Sequence, residues 1–143
     1  MNRENENVFN FEKLLVYQKS LDFIDDVYDL TAKFPSNEKF NITDQFRRAA
    51  TSIALNIGEG SGGTAKEFNA FLRISKRSMK ECVVCTTIAH RRKYITSEEE
   101  IVLRNKLVEL AKMNSGLSKS IRAKIILAEK GSSTPGSVLP TPN

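Results

Sequence analysis

Cysteine is scarce in this chain, with only Cys82 and Cys85, and tryptophan is absent. Two cysteines are too few for the disulfide framework of a small secreted domain, so apolar packing has to hold the core together. Apolar runs are also short, and none approaches the roughly 20 residues that span a bilayer. The polar segment 1–6 lacks the pattern of a signal peptide. We therefore expect a cytoplasmic protein that does not enter a membrane.

Histidine is limited to His90, which leaves few ways to build an acid–base or nucleophilic site. It precedes Arg91-Arg92-Lys93 near a predicted helix end, where cations complement the helix dipole. No Ser-His-Asp arrangement follows from the sequence. The glycines around Glu59 follow no strand and precede no Gly-Lys-Ser or Gly-Lys-Thr, so they do not form a phosphate-binding loop. We predict that the protein is not an enzyme and has no cofactor.

Cys82 and Cys85 have the spacing of a redox or metal-binding pair. They fall inside a predicted helix, no strand precedes them, and no second cysteine pair completes a tetrahedral site. Small buried cysteines commonly pack in cores. We predict core packing and no metal site, with a thiol or metal site as the alternative.

Positive charge is concentrated in the middle of the chain. The 143 residues are enough for one domain and carry a net charge of +5. Residues 1–42 contribute −3, residues 43–93 contribute +6 and residues 94–143 contribute +2. Such a distribution favours an anionic partner.

Four helices are predicted, at residues 11–34, 43–60, 65–93 and 97–128. In the first, residues at three- and four-residue steps predict the buried face: Leu14, Tyr17, Leu21, Ile24, Tyr28 and Thr31. The opposite face carries four aspartates: Asp22, Asp25, Asp26 and Asp29.

The other three helices have clear start signals. Thr43 is the predicted N-cap of the second, and Thr64–Glu67 and Thr96–Glu99 form capping boxes that open the third and fourth. Four glycines are predicted to break the second helix: Gly58, Gly60, Gly62 and Gly63. The buried faces are Phe46, Ala49, Ala50, Ile53 and Ile57 in the second helix, Phe68, Phe71, Leu72, Ser75, Met79, Cys82, Thr86 and Ala89 in the third, and Leu103, Leu107, Leu110, Asn114, Leu117 and Ile121 in the fourth.

These elements predict an all-α, antiparallel up-down-up-down four-helix bundle over residues 11–130, because short loops place consecutive helices side by side. Residues 1–10 are expected to form a flexible amino terminus. The Gly-, Ser- and Pro-rich residues 131–143 are expected to form a disordered tail.

Two polar surfaces are candidate binding sites. The third helix and its end carry the predicted nucleic-acid contacts: Lys66, Arg73, Lys76, Arg77, Lys80, Arg91, Arg92 and Lys93. The alternative is a solvated face, or one paired with the aspartates of the first helix. A narrow polar line on the second helix is predicted to form a subunit interface, or to hydrogen-bond a neighbouring helix: Gln45, Arg48, Ser52, Asn56 and Glu59.

The segment Gln45-Phe46-Arg47-Arg48-Ala49-Ala50, with Ser52-Ile53, Asn56-Ile57 and Glu59-Gly60, resembles the bacterial proteins encoded in intervening sequences of 23S rRNA genes. Further matching pieces extend the resemblance over about residues 11–121: Val16-Tyr17-Gln18-Lys19, Phe34-Pro35, Lys66-Glu67-Phe68, Phe71-Leu72, and Ser78 with Glu81. Two departures are Tyr17, where the family often has tryptophan, and the loop 61–64, which lacks the basic residues often found there.

The resemblance implies a four-helix bundle that assembles into a homopentameric barrel. The related accessory variability determinant protein of diversity-generating retroelements has this assembly, and it binds nucleic acid and a reverse transcriptase through its basic exterior. We therefore expect a non-enzymatic homo-oligomer that binds RNA or DNA through a basic outer face. The alternative is a structural or adaptor oligomer that engages a protein partner such as a reverse transcriptase.

Overall fold

The computed structural model describes residues 7–131, which contain four α-helices and no strand. The helices are α1 (Leu15–Thr31), α2 (Ile42–Ser61), α3 (Ala65–Arg91) and α4 (Ser97–Gly131). Short 3-10 helices occupy Asn10–Lys13 and Ser36–Glu38. Within the described range, no helix is long and apolar enough to cross a membrane. Most of the predicted flexible amino terminus (residues 1–6) and of the predicted tail (residues 132–143) lies outside the described residues.

The four helices form a closed ring in which α1 contacts α2 and α4, and α3 contacts the same two helices. Because each helix packs beside the one that precedes it, the chain runs up, down, up and down. This confirms the predicted all-α four-helix bundle. The ring creates one outer groove at each of its four helix pairs.

The core is built by the periodic apolar faces of all four helices. Phe46, Ile53 and Ile57 are fully buried in α2, and Leu103, Leu107 and Leu110 form the buried seam of α4. All five predicted core residues of α2 are buried. In α3 and α4 the predicted faces are also confirmed, except that Phe68, Phe71 and Leu117 are half-buried.

The prediction of the buried face of α1 was wrong, because the helix is rotated about its axis relative to the predicted orientation and buries a neighbouring face. The structure buries Val16, Ser20, Phe23, Val27 and Thr31. Of the predicted residues, only Thr31 is buried, and Leu21 and Tyr28 are exposed. The exposed Tyr28 ring is covered by the Arg47 guanidinium of α2, at 4.6 Å from the ring centroid. Its apolar surface is thereby partly shielded without entering the core.

The start of α1 also differs from the prediction. The helix begins at Leu15 and not at Phe11, because Leu14 has an extended backbone with ψ 131°. The preceding 3-10 turn places the Phe11 ring edge-on to Tyr17, with ring centroids 5.0 Å apart, and against Gly58 of α2. The packing of Phe11 against Tyr17 and Gly58 holds the chain in a non-helical conformation at Leu14, which periodicity in the sequence does not predict. At its other end α1 stops at Thr31, three residues before the predicted end.

The helix starts agree with two of the three predicted caps. In α3, Thr64 N donates to Glu67 Oε1 at 2.7 Å and Glu67 N donates to Thr64 Oγ1 at 3.1 Å. Thr96 and Glu99 make the same reciprocal pair at 2.8 and 3.1 Å. Thr43 is not an N-cap, since α2 begins at Ile42 and Thr43 is buried within its first turn.

Gly58 and Gly60 lie inside α2, so the prediction that they break this helix was wrong. A Cβ atom at Gly60 would lie 2.5 Å from Phe71 Cβ of α3. Glycine therefore lets α2 and α3 approach closely at this point. The chain turns only at Gly62 and Gly63, which follow the helix end at Ser61.

Candidate nucleic-acid interface

A groove between α3 and α4 gathers positive charge on one side of the bundle. Its volume is about 550 Å³. Arg73, Lys76, Arg77 and Lys80 line it from α3, because steps of three and four residues place them on one helix face. Arg122 adds a fifth cation from α4. These five residues define the basic groove, and none of the described residues that line it carries a carboxylate.

The α3 cations of the basic groove are free of ion pairs within residues 7–131. Arg73, Lys76, Arg77 and Lys80 are all exposed, and none lies within 4.0 Å of a carboxylate. Their positive charge is therefore available to an external anion.

The aspartates of α1 do not neutralise this groove within the chain, since α1 and α3 are not neighbours in the ring. Asp26 instead pairs with Lys106 of α4. Lys19 of α1 pairs with Glu109 of α4 at 3.7 Å, and Lys33, just after α1, pairs with Glu99 of α4 at 4.0 Å. The acidic face thus lies along α1 and the basic groove lies across the bundle from it.

The floor of the basic groove is polar. Asn114, only 2% exposed, donates from Nδ2 to the Leu72 carbonyl at 3.0 Å. Ser118 Oγ donates to Asn69 Oδ1 at 3.0 Å, and Arg122 Nη1 donates to Ser118 Oγ at 3.3 Å. Arg122 was missed in the sequence analysis. Helical spacing could have placed Arg122 on the same face of α4 as Ser115 and Ser118, because it lies seven residues after Ser115 and four after Ser118.

The other four predicted basic residues lie away from this groove. Lys66, at the start of α3, pairs with Glu129 at 3.3 Å. Arg91 ends α3, and Lys93 follows in the turn with φ 64°. Arg92 lines a different cavity, beside Tyr94 and Glu38. The predicted set of eight cations therefore divides into four that form one surface and four near the two ends of α3.

The predicted polar line on α2 combines two kinds of contact. Ser52 accepts from Asn56 Nδ2 at 2.9 Å and from Ser78 Oγ of α3 at 2.9 Å, so these residues link the two helices. Gln45 Nε2 donates to Glu81 Oε2 of α3 at the long distance of 3.5 Å. Two further members, Arg48 and Glu59, are exposed. The hydrogen-bonding interpretation therefore applies to the middle of the line, and its two ends remain accessible.

Apolar side chains are exposed next to the Gln45 end of this line. Phe40 is 83% exposed, Val84 56% and Ile88 40%. Phe40 and Ile88 line a cavity of about 650 Å³ together with Gln45 and Arg48. We call Phe40, Val84 and Ile88 the apolar patch. Solvent-facing apolar groups beside polar ones are typical of protein contact sites.

The two cysteines are buried free thiols. Burial, followed by the nearby Glu81 charge, raises the pKa of Cys85 to about 11, and burial raises the pKa of Cys82 further. Both groups therefore stay protonated and unreactive at neutral pH. No cluster of three metal-ligating side chains occurs among the described residues. The geometry agrees with core packing.

His90 joins α3 to the start of α4. Its Nε2 atom lies 3.1 Å from Ser97 Oγ, and its Nδ1 atom lies 3.4 Å from Glu100 Oε1. Local periodicity did not predict that His90 contacts Ser97 and Glu100, because these residues come from two different helices. Glu100 also accepts from Arg104 Nε at 3.1 Å, so its charge is shared with a guanidinium. We interpret the contacts of His90 with Ser97 and Glu100 as structural contacts that stabilise the turn between α3 and α4.

Comparisons with known proteins agree with this architecture. Residues 12–116 match the family described as 23S rRNA-intervening sequence protein. A crystal structure from Bacteroides thetaiotaomicron, of a protein of unknown function from the S23 ribosomal protein family, is 27% identical with a TM-score of 0.68. The match covers 73% of this chain and 96% of that one. Curated proteins gave no match. Since the family match spans well over half of the sequence, the chain belongs to the 23S rRNA-intervening sequence protein family.

Proposed function

We propose that this protein binds nucleic acid through the basic groove and acts as a non-enzymatic binding protein in the cytoplasm. The observation that carries the proposal is a set of four cations that form no ion pair in the described part of the chain: Arg73, Lys76, Arg77 and Lys80. Arg122 joins them in a groove to which the described residues contribute no carboxylate. Lysine and arginine gain affinity for phosphates chiefly by releasing condensed counterions. A cation already paired with a carboxylate has to break that pair before it neutralises a phosphate.

The length of the groove suits a strand of nucleic acid. Arg73 and Lys80 are seven residues apart on one helix, a rise of about 10 Å. About three consecutive phosphates of one duplex strand cover this distance, at roughly 3.4 Å each along the axis. Within residues 7–131 no aromatic side chain lines the groove, so base stacking contributes little. Binding is therefore expected to depend weakly on sequence.

Lysine footprinting tests where nucleic acid binds. We expect saturating oligo-uridylate to slow acetylation of Lys76 and Lys80 several-fold, because bound phosphates cover their ammonium groups. Lys33 and Lys39 are exposed near the α1–α2 connection, outside the basic groove, and serve as internal controls. Mass spectrometry reads each site separately. Equal protection at all four lysines, or none at Lys76 and Lys80 while RNA is bound, rejects the basic groove as the site.

The same proposal includes a closed homo-oligomer, with a pentamer as the expected form. The number five rests on the family resemblance described above. Support from the chain itself comes from the apolar patch and the accessible Arg48 beside it, which together offer a surface for a second copy.

Substitution of Ile88 by glutamate tests the apolar patch as the subunit contact. A buried carboxylate in an apolar interface is costly, so we expect sedimentation to show a shift from oligomer to monomer. Glutamate at Val108, which is 52% exposed on α4 away from the apolar patch, is the matched control. A wild-type protein that is monomeric at micromolar concentration contradicts the oligomer itself. An Ile88→Glu variant that stays oligomeric contradicts this contact.

The second candidate function is a structural or adaptor oligomer that binds a protein such as a reverse transcriptase. The apolar patch favours it, because the patch offers the kind of surface that protein partners use. The two functions differ in their response to salt, since an apolar protein contact releases few counterions.

A further inference from the structure

We infer that the basic groove prefers ribonucleotide strands to deoxyribonucleotide strands, because the acceptor atom Asn114 Oδ1 requires a hydrogen-bond donor. This inference rests on the proposed function and names the class of nucleic acid for the same site. Its starting point is a polar atom that the fold leaves without a partner.

Asn114 Oδ1 is the one buried side-chain nitrogen or oxygen atom within residues 7–131 that has no hydrogen-bond partner. The donor bond from Nδ2 to the Leu72 carbonyl fixes the amide orientation, so the oxygen has to point elsewhere. The same side chain lines the basic groove. Leaving a buried acceptor unpaired is costly, and a ligand that supplies a donor recovers this free energy.

The groove therefore presents two complementary requirements to a ligand. The five cations attract phosphate oxygens, which only accept hydrogen bonds at neutral pH. Asn114 Oδ1 needs a donor close to those phosphates. A ribose 2′-hydroxyl lies on the sugar between consecutive phosphates and donates a hydrogen bond, and a deoxyribose has no equivalent group.

The test compares three uridine oligomers that have the same length and bases: ribose, deoxyribose and 2′-O-methyl. The 2′-O-methyl strand keeps the oxygen but has no proton to donate. We expect wild-type protein to bind the ribose strand about 3- to 10-fold more tightly than the other two, the value of one hydrogen bond. The hydrogen-bond donor on uracil is the same in all three strands, so it does not contribute to the difference in affinity between them.

The Asn114→Leu variant removes the acceptor and leaves the five cations in place. We expect it to bind all three strands with similar affinity, whereas Asn105→Leu, an exposed site on the same helix, keeps the ribose preference. Equal binding of ribose and deoxyribose strands by the wild type overturns the inference, even where binding remains strongly salt-dependent. A preference that survives in Asn114→Leu also overturns it. Failure of all three strands to bind contradicts the proposed function instead.

Discussion

Replacing both Arg73 and Arg77 by glutamate is expected to weaken oligo-uridylate binding by at least about tenfold at low salt. The two side chains lie about one helical turn apart on the α3 side of the groove, so the change replaces two phosphate contacts with two repulsions. The fold should tolerate it. Both residues are exposed, neither pairs with a carboxylate in the described chain, and glutamate has nearly the helix propensity of arginine. Fluorescence anisotropy measures the affinity, and circular dichroism checks the helix content.

The matched control for this variant is the double reversal Lys33→Glu and Lys39→Glu. Each reversal removes two positive units, so both double variants fall from the wild-type net charge of +5 to +1. If binding depends on the groove, only the Arg73 and Arg77 reversal weakens it strongly. Equal weakening in both variants would mean that the net charge alone attracts the nucleic acid. Loss of assembly without loss of affinity would instead place Arg73 and Arg77 at a subunit contact.

Replacing Leu110 by alanine is expected to lower the free energy of unfolding by about 2 to 5 kcal/mol. Leu110 is 2% exposed and lies in the α4 seam between Leu107 and Asn114. Its loss removes apolar contacts and leaves a cavity, because the packing of α4 against α1 and α3 holds the surrounding side chains in place. Chemical denaturation at a fixed protein concentration gives the value, and fixing the concentration keeps any contribution from assembly constant.

Leu127→Ala is the control for this core substitution. Leu127 lies on the same helix and loses the same atoms, but it is 68% exposed. We expect its effect to stay within about 0.5 kcal/mol. Similar costs at Leu110 and Leu127 would show that α4 does not pack through the seam containing Leu107 and Leu110.

Local rules predicted α2, α3 and α4 well and α1 poorly. The two capping boxes depend on hydrogen bonds between residues three apart, which the sequence states directly. In α1, however, two apolar stripes lie one residue out of step: one contains Val16, Phe23 and Val27, and the other contains Tyr17, Leu21 and Ile24. Periodicity alone does not choose between them. The choice depends on how α1 sits between α2 and α4 and on Arg47 covering Tyr28.

The sequence predicted the part of the candidate site that lies on α3, but not the part contributed by α4. Helical spacing was enough to place Arg73, Lys76, Arg77 and Lys80 together. It did not supply Arg122, because that requires knowing which face of α4 meets α3. It also joined Lys66 and Arg92 to the same surface, although the length of α3 separates them. The unpaired oxygen of Asn114 depends on packing and was not visible in the sequence, which indicated only a polar residue in the seam.

The salt dependence of oligo-uridylate binding is the most direct measurement of the central claim, that the groove cations contact phosphates. For three to five contacts on a single strand, the slope of log affinity against log salt is expected to lie between about −2 and about −3.5, at roughly −0.7 per phosphate. The Arg73→Glu and Arg77→Glu double variant should flatten this slope by about 1.5, since two contacts are lost. A slope near zero in the wild type, or the same slope in the double variant, would contradict phosphate binding in this groove.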